Sequence, residues 1–488
     1  MAVSPLLQII RALPAPTLKA LDKFIRSPYH VTHPGVVELY ERMKEDARNP
    51  TPPSGRDQGI SPGAPAKPRS EAFSPPSKGL KAAPPGGKAA PHLYHLTSYL
   101  LEAVEKFLAL EIWEQRPQEQ HLATIEHLRR LRLEQAGAGM IRYARKRLES
   151  GTERGGNYHR ADYLLLLEAY YLSQQEGRAR SVNVQELADA QDLAFICEKL
   201  RTGCLLLSHE AVAKREYDKG LLAGVVAFLK DHRYLEIPAV AAYYHGYFTQ
   251  LGENAEPHFY RLKQLLQDHA GHFSLADIHD LYLLAVNYCI RRINQADERY
   301  FREVFDLYRS GLRHGALLEN GVLSRWTYNN IALTGLRLRE FGWVRQFLQD
   351  FAGFLPEAHR EAAFNFNLAR YHYDTGDYRQ AMRHLLHMEY DDVLQNLVAK
   401  TMLCKIYFEL EETDALENQL DSIQIYLRRK KVLGYHKDNY TAIVRYMRKL
   451  LTLSPGDAVE KEKLRRDLEQ APILTEREWL LKRLATDD

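Results

Sequence analysis

Residues 366 to 392 read FNLARYHYDTGDYRQAMRHLLHMEYDD and gather His372, His384 and His387 with Glu389, Asp391 and Asp392, side chains that bind metal ions or move protons. Metal ligation needs three or four such groups converging on one point, and His384 and His387 share only an HxxH spacing, which is common by chance. A second HxxH, His269 to His272 in DHAGHF, reads as a helix end. The carboxylates fit better at the start of a following helix, where negative charge meets the positive end of the helix dipole. The expectation is packing between helices, with no metal and no cofactor.

Other chemistry is equally thin. Cys197, Cys204, Cys289 and Cys404 form no CxxC pair and lie in apolar text such as LAFICEKLRTGCLLL, so reduced, buried and inert thiols are expected. The GGKA ending at Ala89 lacks the P-loop pattern, because Ala82 stands where the first Gly belongs and Ala89 replaces the Ser or Thr that would meet magnesium. No GxSxG, HExxH or dinucleotide fingerprint occurs. An enzyme would need a site dispersed over several helices. Basic runs at Arg142–Arg147 (RYARKR) and at Arg428, Arg429, Lys430 and Lys431 could meet phosphates, but neither carries the aromatic interleaving of a base-stacking surface, and on a helix such runs are usually a solvated face. A nucleic-acid-associated protein is thus the first alternative and a dispersed enzyme the second.

The elements that must position any site are helical. The 488 residues are 45% hydrophobic with a formal net charge of +3, enough for a core and too balanced to draw nucleic acid or anionic lipid by charge alone. The longest apolar run, LLAGVVAFL from Leu221 to Leu229, falls short of the roughly 20 residues a membrane span requires. Arg11 interrupts the apolar N-terminal stretch, so a soluble cytoplasmic protein is expected. Between Pro50 and Pro91 lie 11 of the 22 prolines among Gly, Ser and Ala, a composition that cannot offset the entropy of ordering it, and a disordered linker or insertion is read over 49–91. Beyond it Leu93, Leu96, Leu100, Val104 and Phe107 recur at steps of three and four, the stripe of an amphipathic helix. No convincing run of alternating strand residues is found, and the class expected is all-α.

These helices carry a period. Gly342 and Gly376 lie 34 residues apart, as do Tyr373 and Tyr407, Ala381 and Ala415, and Leu386 and Leu420. That is the tetratricopeptide period, and LARYHYDTGDYRQAMRHLLHM resembles one such repeat: Leu368 and Ala369 on the first helix, Gly376 at the turn, Tyr378, Ala381, Leu385 and Met388 on the second. Small residues there let paired helices approach closely. The match fades upstream of about residue 320.

Further phrases extend over most of the chain: FIRSPYHVTHPGVVELY from Phe24, NYCIRRIN from Asn287, LENGVLS from Leu318, YNNIAL from Tyr328, and KIYFELEETDALENQLDSIQIYLRRKK from Lys405. Together and in this order they resemble a family of uncharacterised helical, tetratricopeptide-like proteins of Bacteroidota, which implies a helical fold and brings no catalytic residue; the Pro-rich segment departs from it. The expected organisation is an N-terminal helical subdomain over 1–48, the linker, irregular helical hairpins over 92–320, tetratricopeptide-like repeats over 321–455 and capping helices over 456–488, the whole an α-α superhelix of antiparallel hairpins. Its expected role is non-enzymatic, a scaffold holding a peptide or folded protein on a concave face, with no membrane and no small-molecule substrate. In tetratricopeptide geometry Asn329, Arg339, Phe366, Arg370, Tyr373 and Lys400 would face that groove and suit an acidic or aromatic peptide.

Overall fold

The computed structural model describes residues 5–48, 90–175, 184–252, 254–386, 392–429, 434–454 and 458–485. The linker expected over 49–91 lies almost wholly outside them. Among the described residues the chain forms 22 α-helices and one short hairpin, an all-α protein. The hairpin pairs β1 (Leu318–Glu319) with β2 (Val322–Leu323) through Asn320 and Gly321, both at positive φ (51° and 79°), the conformation an Asn-Gly turn favours.

The chain folds as two compact units, the first being Met1–Lys146 with Leu167–Val182. It begins with α1 (Pro5–Ala12), α2 (Ala15–Ile25), α3 (Pro34–Arg48) and α4 (Ala90–Glu114), and continues through α5 (Pro117–Arg130). Helices α6 (Glu134–Ser150) and α7 (Gly156–Gln175) each belong partly to both units. Leu6, Ile10, Leu21, Ile25, Val36 and Tyr40 share one core with Leu96, Leu100, Val104 and Phe107 of α4. Residues 1–48 are therefore not a subdomain of their own. The stripe of α4 is itself apolar and needs a partner, and α1–α3 supply it.

The second unit, Arg147–Leu166 with Asn183–Asp488, holds α8 (Val184–Ala213), α9 (Leu222–Leu229), α10 (Pro238–Leu251), α11 (Ala255–His269), α12 (Leu275–Asn294), α13 (Arg299–Arg313), α14 (Arg325–Arg337), α15 (Phe341–Phe351), α16 (Glu357–Asp374), α17 (Tyr378–Leu386), α18 (Val393–Glu409), α19 (Thr413–Arg429), α20 (Tyr435–Thr452), α21 (Ala458–Gln470) and α22 (Arg477–Ala485). Starts are set by local chemistry: Ser274, Ser324 and Asp392 each accept a backbone N–H three residues on, satisfying a donor the helix leaves free. Packing partners are near neighbours in sequence. Helix α10 meets α8, α11 and α12; α12 meets α13; α14 meets α15 and α16; α16 meets α17; and α18 meets α17 and α19.

The turns between paired helices repeat. Asp297, Glu340, Asp377 and Glu412 donate their N–H to the carbonyl five residues back (Arg292, Gly335, His372 and Tyr407) at 2.8–3.1 Å, and the residue before each, Ala296, Arg339, Gly376 and Glu411, has positive φ. The same helix-ending turn also closes at Leu133 and Ala316, after Arg132 and Gly315, so among the described residues it is used six times, with Gly in two of them. Its last separations are 37 and 35 residues. Gly342 is not the counterpart of Gly376; it lies inside α15, and the expected 34-residue glycine pairing is corrected accordingly.

Candidate interaction site

The histidines of the opening stretch are packing residues where they are described. His372 and His384 stack at 5.6 Å between centroids with their planes 7° apart, and His384 Nδ1 lies 3.0 Å from Asn365 Oδ1. Burial lowers the pKa of both; the His372 ring lowers His384 further, and Asp377 only partly offsets the effect at His372, so a neutral stacked pair is favoured. His387, Glu389 and Asp391 lie outside the described residues, and Asp392 caps α18. Among the described residues no group of three His, Cys, Asp or Glu side chains is placed to hold a metal ion. All four cysteines are buried free thiols, and burial pushes Cys197 and Cys404 up to about 12 and the other two higher still. Thiolate chemistry is suppressed at each.

The six residues expected to line a groove are divided by the structure. Phe366 is 2% exposed and belongs to the core, with the Arg370 guanidinium 4.4 Å from its ring centre. Asn329 accepts a 2.6 Å hydrogen bond from buried Asn367 and so joins α14 to α16. Arg339 lies beyond α14, as the positive-φ residue of the turn. Lys400 donates to Ser422 at 2.9 Å and so faces its own second helix, α19. Four of the six thus serve packing or turns; the register error of one glycine moved the expected faces. Tyr373 is different. The Lys405 ammonium sits 4.8 Å from its ring centre and 5.7 Å from that of Trp479.

Trp479 belongs to α22, which breaks the rule of near-neighbour packing. Thr475, just before α22, is gripped by Asn439 of α20: its N–H donates to Asn439 Oδ1 at 2.9 Å and its hydroxyl oxygen accepts from Nδ2 at 3.1 Å. Asn439 is itself only 2% exposed, so the grip is shielded from solvent. Lys405 of α18 donates to Glu476 at 2.9 Å. Glu409, with 10% of its side chain exposed, accepts the Trp479 indole N–H at 3.0 Å and pairs with Arg483 at 2.6 Å. The Phe408 ring meets Trp479 edge to face at 5.3 Å, and Arg337 of α14 reaches Glu478 at 3.5 Å. Leu480 and Leu484 are 1% and 3% exposed in the shared core. A cavity of about 330 Å³ opens beside this contact, lined by Tyr407, Phe408, Glu409, Leu416, Leu451 and Arg483.

Helices α18 and α20 therefore hold α22 with one ammonium, one largely buried carboxylate, an aromatic ring and a backbone-gripping amide. Such a set recognises a helix start: charge fixes direction, the ring and leucines supply burial, and the amide fixes register. Of the predicted basic runs, Arg142–Arg147 lies on α6. Arg428 and Arg429 close α19, and Lys430 and Lys431 lie outside the described residues. Among the described residues no helix is long and apolar enough to cross a membrane. Compared with known proteins, the chain matches no family model and no curated protein.

Proposed function

We propose that the chain is a non-enzymatic protein-interaction scaffold, a superhelical array of helical hairpins of tetratricopeptide-like kind that holds a helical segment of a partner protein. The kinship with Bacteroidota helical-repeat proteins and a cytoplasmic location belong to the same proposal. One observation carries it: side chains of α14, α18 and α20, helices far from α22 in sequence, already hold α22 by the contacts a peptide receptor makes. Packing almost wholly between sequence neighbours supports an array, because such a stack leaves the outward side chains of its first helices free for a ligand.

The test is affinity capture with the full chain and with its Lys405→Glu variant, read by mass spectrometry. A protein enriched by the wild-type chain and lost with the variant supports the reading, and the same protein must then bind in purified form. Enrichment of nuclease-sensitive nucleic acid, or of nothing, overturns it.

A further inference from the structure

Three asparagines occupy one position of the repeating hairpins. Asn287 of α12, Asn330 of α14 and Asn367 of α16 each stand nine residues before the positive-φ residue of their turn, Ala296, Arg339 and Gly376. Asparagine inside a helix competes with the backbone for hydrogen bonds and is a weaker helix former than alanine, so it costs stability there unless a bond offsets it. Asn367 has such bonds: fully buried, its amide donates to Asn329 Oδ1 at 2.6 Å and to the Ala363 carbonyl at 2.8 Å. Asn287 and Asn330 are exposed, and among the described residues no hydrogen bond satisfies either side-chain amide.

Each unpaired amide stands between apolar groups on its own helix face. Leu283 precedes Asn287 by four residues and Ile290 follows it by three; Trp326 and Leu333 take the same places about Asn330. Leu283, Trp326 and Leu333 are 37%, 57% and 48% exposed. The two helices end side by side, since Arg337, which closes α14, donates to Glu298, just past the turn that ends α12, at 3.1 Å. Charge on the second face has one sign. Helix α14 carries two arginines and no carboxylate, and the Arg325 guanidinium lies 4.7 Å from the Trp326 ring centre with no carboxylate paired to it among the described residues.

We propose that α12 and α14 present a docking surface for an extended, acidic segment of a partner protein. The amides decide against a helical occupant, whose backbone groups are already bonded to one another; an extended segment offers a free N–H and C=O along its length, and a primary amide donates to one and accepts from the other. Leu283, Trp326 and Leu333 cover the apolar side chains of that segment, with Trp326 the type of residue that carries most of an interface's affinity. Arg325 takes a carboxylate, the charge its own helix lacks. This surface uses other residues than those that hold α22, so it goes beyond the scaffold reading and fails or stands separately from it.

The experiment selects random linear peptides displayed on phage against the full chain, then measures an enriched peptide, made synthetically with a fluorescein label, by fluorescence polarisation and circular dichroism. The expected result is enrichment of sequences that join carboxylates to aromatic or aliphatic residues, with affinity at least tenfold weaker for the chain carrying Asn287→Ala and Asn330→Ala together, at least tenfold weaker for Arg325→Glu, and no helix signal gained on binding. Alanine suits a helix better than asparagine, so the double variant stays folded and its loss of binding is not a loss of structure. No enriched sequence, unchanged affinity in either variant, or a gain of helix on binding overturns the proposal. A dimer of the full chain in sedimentation that Trp326→Ala dissociates also overturns it, by making a second copy the occupant. Lys405→Glu should leave the peptide bound; a peptide lost with Lys405→Glu and kept by the asparagine variant rejects this surface and leaves the scaffold reading standing.

Discussion

Gly335 sits inside α14, where replacing glycine by alanine ordinarily stabilises a helix by about 1 kcal/mol. Here the added Cβ would lie 2.4 Å from Val344 Cγ2 of α15 and 3.1 Å from Phe305 Cε2 of α13. Neither neighbour can retreat. Val344 and Phe305 are both 0% exposed, and the Phe305 ring is held edge to face by Trp343 at 4.8 Å. The hairpin must open instead, and overpacking of that kind costs about 1 to 3 kcal/mol. Gly335→Ala should therefore cost a net of about 1 kcal/mol. Gly224 in α9 provides the opposite case, because a Cβ there meets nothing within 4 Å, and Gly224→Ala should gain about 0.5 to 1 kcal/mol. Urea unfolding followed by far-UV circular dichroism measures both. Gly335→Ala as stabilising as Gly224→Ala would refute the close approach of α13, α14 and α15.

Ala381 is fully buried between α17 and its neighbours, so Ala381→Leu should cost about 1 to 3 kcal/mol in urea unfolding, whereas His384→Ala, at a half-buried stacked ring, should cost under about 1 kcal/mol; the reverse order would overturn the packing described for that hairpin. Glu411→Gly should stabilise the chain against urea by about 0.5 to 1 kcal/mol, because its φ of 59° is costly for a side chain and free for glycine, and a fall would show that the carboxylate is needed. Burial holds His159 at a pKa of about 4, against an ordinary 6.5, so the unfolded chain takes up the proton first. Its contribution is complete above pH 6.5 and is lost as pH falls from 6.5 toward 4, a loss of about 3 kcal/mol over the window. A urea midpoint that is flat across that range would refute the buried neutral imidazole.

Periodic burial was legible in the sequence, and contact between distant elements was not. Leu96, Leu100, Val104 and Phe107 are buried along α4 as their spacing demands, although Leu93, in the same series, is 53% exposed in the first turn. Ala381, Tyr407 and Leu420 are buried, while Leu386, paired with Leu420 by the 34-residue step, is 53% exposed because the true spacing of turns is 37 and then 35. That shift also displaced the expected groove: Lys400 faces α19, and Lys405, five residues on, faces α22. The missed hairpin had a local signal in Asn320-Gly321. The site around Trp479 had none, since Glu409 and Trp479 lie 70 residues apart and no spacing rule links a carboxylate to an indole at that distance.

A charge-swap cycle in the full-length chain tests the central claim, that the α18 and α20 face holds a helix by its own side chains. Lys405→Glu should lower the urea midpoint, and adding Glu476→Lys, which restores an opposite-charge pair, should recover part of the loss. An unchanged midpoint with Lys405→Glu, or no recovery in the double variant, would contradict it.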